Sequence, residues 1–343
     1  MKSFGKSIQL GAIALASVIA LTACGSDSSS STPTPTPTPT PGAAVSKGVI
    51  TELGSVFVNG IKFETTDPAI AITIDDKPGV AGDLKRGMIV KVTGANDDAT
   101  KTGIAKKIEA RDALEGKIEA VDPLNKTITV MGQIVQVEDN LTHLNDDLTV
   151  KVFTAAGFAV DDTVEVHGFA DDTGGLRATR VAKKAIGEFE AKGFVTGLGA
   201  ASFGLSLTPG GASFITVNFT AGQLPVGTAN GSMVEVKSTL APTGVAGAKT
   251  ITASLIKFED NKLGAAGEKV EVEGLVSSGT VADFVINGQR VVTNASTVFE
   301  GGVKADFVLG SKLEAEGPLD ASGAIVATKI SFRSNIRIEA AAS

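Results

Sequence analysis

Short runs along this chain alternate apolar and polar side chains with a period of two, the pattern of β-strands with one buried face. Lys126-Thr-Ile-Thr-Val-Met131 and Gln133-Ile-Val-Gln-Val137 form one such pair, joined at Gly132. Ser55-Val-Phe-Val58 and Ile61-Lys-Phe-Glu64 flank Asn59-Gly60, while Asp283-Phe-Val-Ile286 and Arg290-Val-Val-Thr293 flank Asn287-Gly288. Asn-Gly between alternating runs predicts a hairpin, because both turn residues must accept positive φ.

These runs belong to a larger unit that recurs four times. Each copy opens on glycine and an apolar strand: Gly48-Val-Ile-Thr-Glu, Gly116-Lys-Ile-Glu-Ala-Val, Gly193-Phe-Val-Thr-Gly and Gly274-Leu-Val-Ser-Ser. A second alternating strand follows in each, namely GMIVKVTG (87–94), VDDTVEVHG (160–168), GSMVEVKS (231–238) and GSKLEAEG (310–317). After a polar turn each copy closes on a last strand: GIAKKIEARD (103–112), GLRATRVAKKA (175–185), KTITASLIKFED (249–260) and GAIVATKISFRSN (323–335). Successive opening glycines lie 68, 77 and 81 residues apart.

Five or six short strands in about 70 residues predict a small closed barrel, since closure removes exposed edges. The expected fold class is all-β: four tandem small OB-like β-barrel modules over residues 47–113, 114–187, 188–262 and 268–338. A two-sheet sandwich is the alternative for each copy. An extended β-solenoid fits poorly, because the repeats are long and contain hairpins. The run from Ile108 to Ile118 passes from one copy into the next with no spacer. Such joins predict modules packed end to end, with a bend in the longer join from Asp260 to Lys269.

The first 46 residues follow a different grammar. Lys2 and Lys6 precede an apolar segment from Ile8 to Leu21, of signal-peptide length and short for a membrane span. Leu21, Thr22, Ala23 and Cys24 read as a bacterial lipobox. Residues 1–23 are then a lipoprotein signal peptide, and Cys24 becomes the acylated N-terminus, with palmitate among its chains. Several acyl chains anchor firmly where one would be marginal. Gly25 after the cysteine, rather than Asp, predicts the outer membrane by resemblance to sorted lipoproteins. Residues 24–46 form a linker: serines, then strict Thr-Pro alternation from Thr32 to Pro41. Polyproline II at about 3.1 Å per residue makes that run a semi-rigid spacer of about 30 Å.

Composition narrows the chemistry. The formal charge is −7, and loss of Lys2 and Lys6 with the leader makes it −9. An acidic chain without a Lys/Arg stripe is a poor candidate for nucleic acid. Cys24 is the sole cysteine, which excludes a disulfide framework and a thiolate metal site. Trp and Tyr are absent, so stacking platforms for sugars or bases would rest on Phe alone. No Gly-rich phosphate loop has its lysine.

His143 and His167 have no counterparts in the other copies and are expected to be solvent-facing at strand ends. The pairs Asp75-Asp76, Asp97-Asp98, Asp146-Asp147, Asp161-Asp162 and Asp171-Asp172 read as turn chemistry rather than calcium loops, since no EF-type ligand spacing is present. No metal, cofactor or catalytic residue is therefore expected. One segment stands apart: Gly193 to Val234 has no Asp, Glu, Lys or Arg across 42 residues. With Phe194, Phe203, Phe214 and Phe219, it is a candidate uncharged contact surface for another envelope component.

The G-x-[IV] opening, the hydrophobic-x-V-x-G strand and the A-x-[KR]-[IV] closing strand resemble the bacterial domain-of-unknown-function family 5666. That resemblance spans residues 47 to about 338 and implies tandem OB-like barrels, often in lipoproteins, with no activity and no catalytic residues. Copy three departs from it, with Ser238 in place of the terminal glycine. The expectation is a lipid-anchored cell-envelope protein, not an enzyme, acting as an elongated scaffold or binding module with an envelope partner. A small-ligand or glycan-binding protein using barrel clefts is the alternative.

Overall fold

The computed structural model describes residue 42 and residues 44–185, 187–245 and 247–333. The first barrel is built from β1 (Val45–Val49), β2 (Val56–Val58), β3 (Ile61–Glu64), β4 (Ala71–Ile74), β5 (Lys77–Pro78), β6 (Ile89–Asp97) and β7 (Thr102–Ala110). The second contains β8 (Leu114–Asp122), β9 (Thr127–Val130), β10 (Gln133–Gln136), β11 (His143–Leu144), β12 (Thr163–Ala170) and β13 (Leu176–Lys183). The third contains β14 (Phe189–Thr196), β15 (Ser202–Ser206), β16 (Ser213–Asn218), β17 (Met233–Ser238), β18 (Thr250–Thr252) and β19 (Leu255–Phe258). The fourth contains β20 (Lys269–Thr280), β21 (Asp283–Ile286), β22 (Gln289–Val292), β23 (Val298–Glu300), β24 (Lys312–Pro318), β25 (Ile325–Val326) and β26 (Lys329–Phe332). The protein is all-β.

One hydrogen-bonding circuit repeats. In the second barrel β8 pairs with β9, β9 with β10, β10 with β13, β13 with β12, and β12 returns to β8. Every pairing is antiparallel except β10 with β13. The ring is a closed five-stranded barrel of OB-like order. The third and fourth barrels repeat it, with the last strand broken into β18 and β19 or β25 and β26. In the first, β1 pairs with β6, and Thr51 N–H donates to Phe57 O at 3.0 Å to bring the chain after β1 onto β2.

The predicted turns form: Asn59-Gly60, Met131-Gly132 and Asn287-Gly288 all have positive φ. The hairpins fold across the opening glycines. A Cβ on Gly48 would lie 2.0 Å from Asn59 Oδ1, and one on Gly274 would lie 2.8 Å from the Asn287 Cβ. The second recurrent glycine marks a bulge where the closing strand crosses. The register shifts at Gly94 and at Gly168, where a Cβ would meet Ile104 O at 1.9 Å and Arg177 O at 2.6 Å.

The modules do not run end to end. β1 pairs in parallel with β20, with Val45 beside Val270 and Lys47 beside Val272, so the first and fourth barrels share one 14-stranded sheet. β8 pairs with β14, joining the second and third in a 12-stranded sheet. The expected bend near residues 260–269 is instead a crossover that brings the fourth barrel back beside the first. The second and third barrels also share one apolar core. Val49, Phe169 and Leu275 make a small apolar node among the first, second and fourth.

Gly94→Ala is expected to cost about 2 kcal/mol or more in chemical denaturation, because the new methyl meets a backbone oxygen that cannot rotate away. Gly82→Ala, with open space at its Cβ, is the control and should stay within about 0.5 kcal/mol of the parent. Equal effects at the two sites would refute the crossing-strand account.

Candidate functional site

Strand alternation sends one set of side chains into each barrel core and the other set outward. On β14, β17 and β19 the outward set is charged and in register. Glu190 faces Lys237, Lys192 faces Glu235, and Glu235 faces Lys257. Opposite charges at these positions support one another across strands. Because the barrels dock through this face, the ladder is buried: Glu190, Lys192, Glu235 and Glu259 are each at most 6% exposed.

Lys192 is the hub. Its Nζ lies 3.3 Å from Asp75 Oδ1 and 3.7 Å from Glu235 Oε2, and it is hydrogen-bonded to Asp112 and Glu190. Burial opposes its charge, yet the carboxylates of Asp112, Asp75, Glu190 and Glu235 together outweigh that cost and raise its pKa well above the ordinary lysine value. Asp75 and Asp76 arrive on the two-residue turn between β4 and β5, both with positive φ. Asp76 pairs with Lys257, which lies 3.0 Å from Glu235 Oε2. Arg111 Nη1 lies 2.8 Å from Glu259 Oε2 and donates to Asp260 O at 3.0 Å. Residues from the first and third barrels and the join after the first thus share one charge network.

His167 completes the network and corrects the expectation of a solvent-facing side chain. It is fully buried, with Nδ1 2.9 Å from Arg111 O and Nε2 2.9 Å from Glu165 Oε1. Burial opposes the charge on Glu165, but His167 and Lys184 beside it hold its carboxyl far below the usual range. His143 is half-buried on β11, against Gly87 of the first barrel.

The seam between the first and fourth barrels carries a different arrangement. Glu271 and Glu273 on β20 lie directly opposite Glu316 and Glu314 on β24. Lys269 and Lys329 pair with Glu316, Lys312 with Glu273, and Arg333 with Glu314. Glu271 instead accepts from Ser46 Oγ and Asn96 Nδ2 of the first barrel, each at 3.2 Å. Burial, with the charges of Glu314 and Glu316, pushes Glu271 up to about 9. It therefore crosses neutral pH as the uncharged acid.

Where the four barrels meet there is a cavity of about 130 Å³. Ile89, Phe194, Leu207, Met233 and Leu263 form its apolar walls, and Lys47, Arg111 and Glu259 reach it from the polar side. Two groups of three carboxylates lie close enough to share a cation: Asp75, Asp112 and Glu190, and Asp76, Glu235 and Glu259. Lys192 sits in the first and Lys257 in the second, so ammonium groups already balance them.

Cys24, Leu21, Thr22 and Ala23 lie outside the described residues. Of the four phenylalanines expected on a contact surface, Phe203, Phe214 and Phe219 pack with the barrel core, while Phe194 is buried on the outward face of β14 against Gly288 of the fourth barrel. Phe194, Phe203 and Phe219 are at most 8% exposed, and Phe214 packs partly buried against the same core. The uncharged stretch is poor in charge because its strands fill a barrel. Asp97, Asp147, Asp162 and Asp171 accept backbone N–H groups within their own turns, whereas Asp75, Asp76 and Asp146 form ion pairs with other segments. Sequence reasoning missed the ladder because Glu and Lys at alternate strand positions look the same on a solvated face and a docked one.

Fold and site together define a tandem OB-like β-barrel protein whose barrels are locked by buried ion pairs. Residues 115–182 and 273–331, the second and fourth barrels, match the family described as a domain of unknown function (DUF5666). The resemblance noted in the sequence holds for these two segments. No curated protein matches the chain.

Two substitutions test the network. Lys192→Met should destabilise by about 3–5 kcal/mol at pH 7, since it strands buried carboxylates. Part of that loss should return at pH 5 as they protonate. Glu271 has a raised folded pKa, so its contribution is fully present below its unfolded value and is lost as pH climbs towards 9. Each pH unit in that window costs about 1.4 kcal/mol from this proton. Glu271→Gln should flatten the decline in urea-melt stability between pH 5 and pH 8, and an unchanged slope would contradict the assignment.

Proposed function

We propose that this protein is a lipid-anchored cell-envelope lipoprotein, non-enzymatic, whose four barrels act together as one compact binding module. Cys24 carries the acyl chains, and the Ser/Thr-Pro linker joins the module to the outer membrane. The observation that carries this reading is the commitment of the charged side chains in the ladder and beside it. Lys192, Lys257, Arg111 and His167, the side chains best suited to proton transfer or anion chemistry, are each held by carboxylates or a carbonyl of the same body. Such pairing favours holding barrels together over turning over a substrate. The β1–β20 pairing supports a compact body rather than an elongated arm, and placement at the envelope favours an envelope protein as the partner.

Cell fractionation tests the anchor. The unaltered protein should pellet with membranes and carry acyl mass on Cys24, and Cys24→Ser should move it to the soluble fraction. Retention of Cys24→Ser in the membrane pellet would defeat the reading.

A further inference from the structure

We infer that the cavity at the four-barrel junction binds a small monoanionic carboxylate with an apolar body, and that Lys47 is its counter-ion. This deepens the binding-module reading above and rests on it.

The argument begins with charge. Among the described residues, the other cations at the junction have carboxylate partners within 4.0 Å: Lys91 has Glu109, Arg111 has Glu259, and Lys192 has Asp112 and Glu190. Lys47 has no such partner. Its Nζ donates to one backbone oxygen, that of Asn287, at 3.1 Å. Burial first, then the neighbouring charges of Lys91 and Arg111, lower its pKa to about 8. An ammonium enclosed this way, with donors left over, is satisfied by an anion in the space it faces.

The cavity specifies the rest. At about 130 Å³ it is close in size to an engineered cavity of about 150 Å³ that takes up benzene, so the body of the occupant is about four to six carbon atoms. Phe194, Leu207, Met233 and Leu263 offer that body an apolar wall. The ring of Phe194 lies against Gly288 of the fourth barrel, where a Cβ would stand 3.3 Å from Cζ. Glu109 and Asp260, which also line the cavity, oppose a second negative charge on the ligand. Inorganic phosphate would leave the apolar wall unused, and a neutral molecule would leave Lys47 uncompensated. Lining residues come from all four barrels, so the site exists only in the assembled body.

Titration calorimetry on the full chain bearing Cys24→Ser, in detergent-free buffer, tests this. Butanoate and hexanoate should give saturable heat, and the neutral isostere butanamide should bind at least about tenfold more weakly, the scale of one charge-assisted hydrogen bond. Lys47→Met should remove the preference for acid over amide while keeping a cooperative melt. The acid–amide comparison on unaltered Lys47 decides the matter even if that variant fails to fold. No saturable heat from either carboxylate, equal binding of acid and amide, or a response matched by inorganic phosphate would each overturn the site. None of these outcomes touches the membrane anchor, which fractionation reads separately.

Discussion

Everything above the single barrel depends on one constraint: charged side chains on the outer strand faces are buried when the barrels dock, so they must be paired across the interfaces. Lys192 shows the consequence. Its ammonium sits among Asp75 from the first barrel, Asp112 from the following join, and Glu190 and Glu235 from its own barrel. A buried pair adds little over an apolar contact of the same shape, but half of one is costly. The network therefore selects a docking arrangement more than it supplies stability, since a shifted interface would leave buried charges without partners.

Inside each barrel the organisation is local. The hairpin folds over the opening glycine, the closing strand crosses at the bulge glycine, and alternating apolar residues fill the interior. The tertiary arrangement reverses the order in sequence. The first and fourth barrels, farthest apart along the chain, share a sheet through β1 and β20. That seam tolerates facing glutamates because Glu271 keeps its proton and takes hydrogen bonds from Ser46 and Asn96. Packing four barrels together also creates an interior that a linear array would lack, and the junction cavity with Lys47 lies there.

Much of the single barrel was legible in the sequence. Asn59-Gly60 and Asn287-Gly288 announced hairpins because few residue pairs accept positive φ twice. The four-copy recurrence announced the barrel count, and Asp97, Asp147 and Asp171 read correctly as turn residues. The candidate site was almost wholly illegible. His167 looked like a solvated strand end because its burial and its contact with Arg111 O depend on how the first and second barrels meet. Asp75 and Asp76 looked like any acidic turn, and their lysine partners, Lys192 and Lys257, lie more than a hundred residues away. Phe203 and Phe219 looked available for a partner because an uncharged strand set reads alike whether it faces outward or lines a barrel, whereas Phe194 does meet a neighbour, the fourth barrel at Gly288.

By itself the sequence determined the period-two strands, their turns, the glycine crossings and the fourfold count, since these follow from backbone geometry and side-chain alternation within about 70 residues. Only the tertiary structure decided which outer faces leave water, which charges therefore meet, and where a cavity remains. The physical reason is that a Glu or Lys at an outward strand position satisfies a solvated face and a docked one equally well. Its role is set by whether an opposite charge from a distant segment arrives beside it.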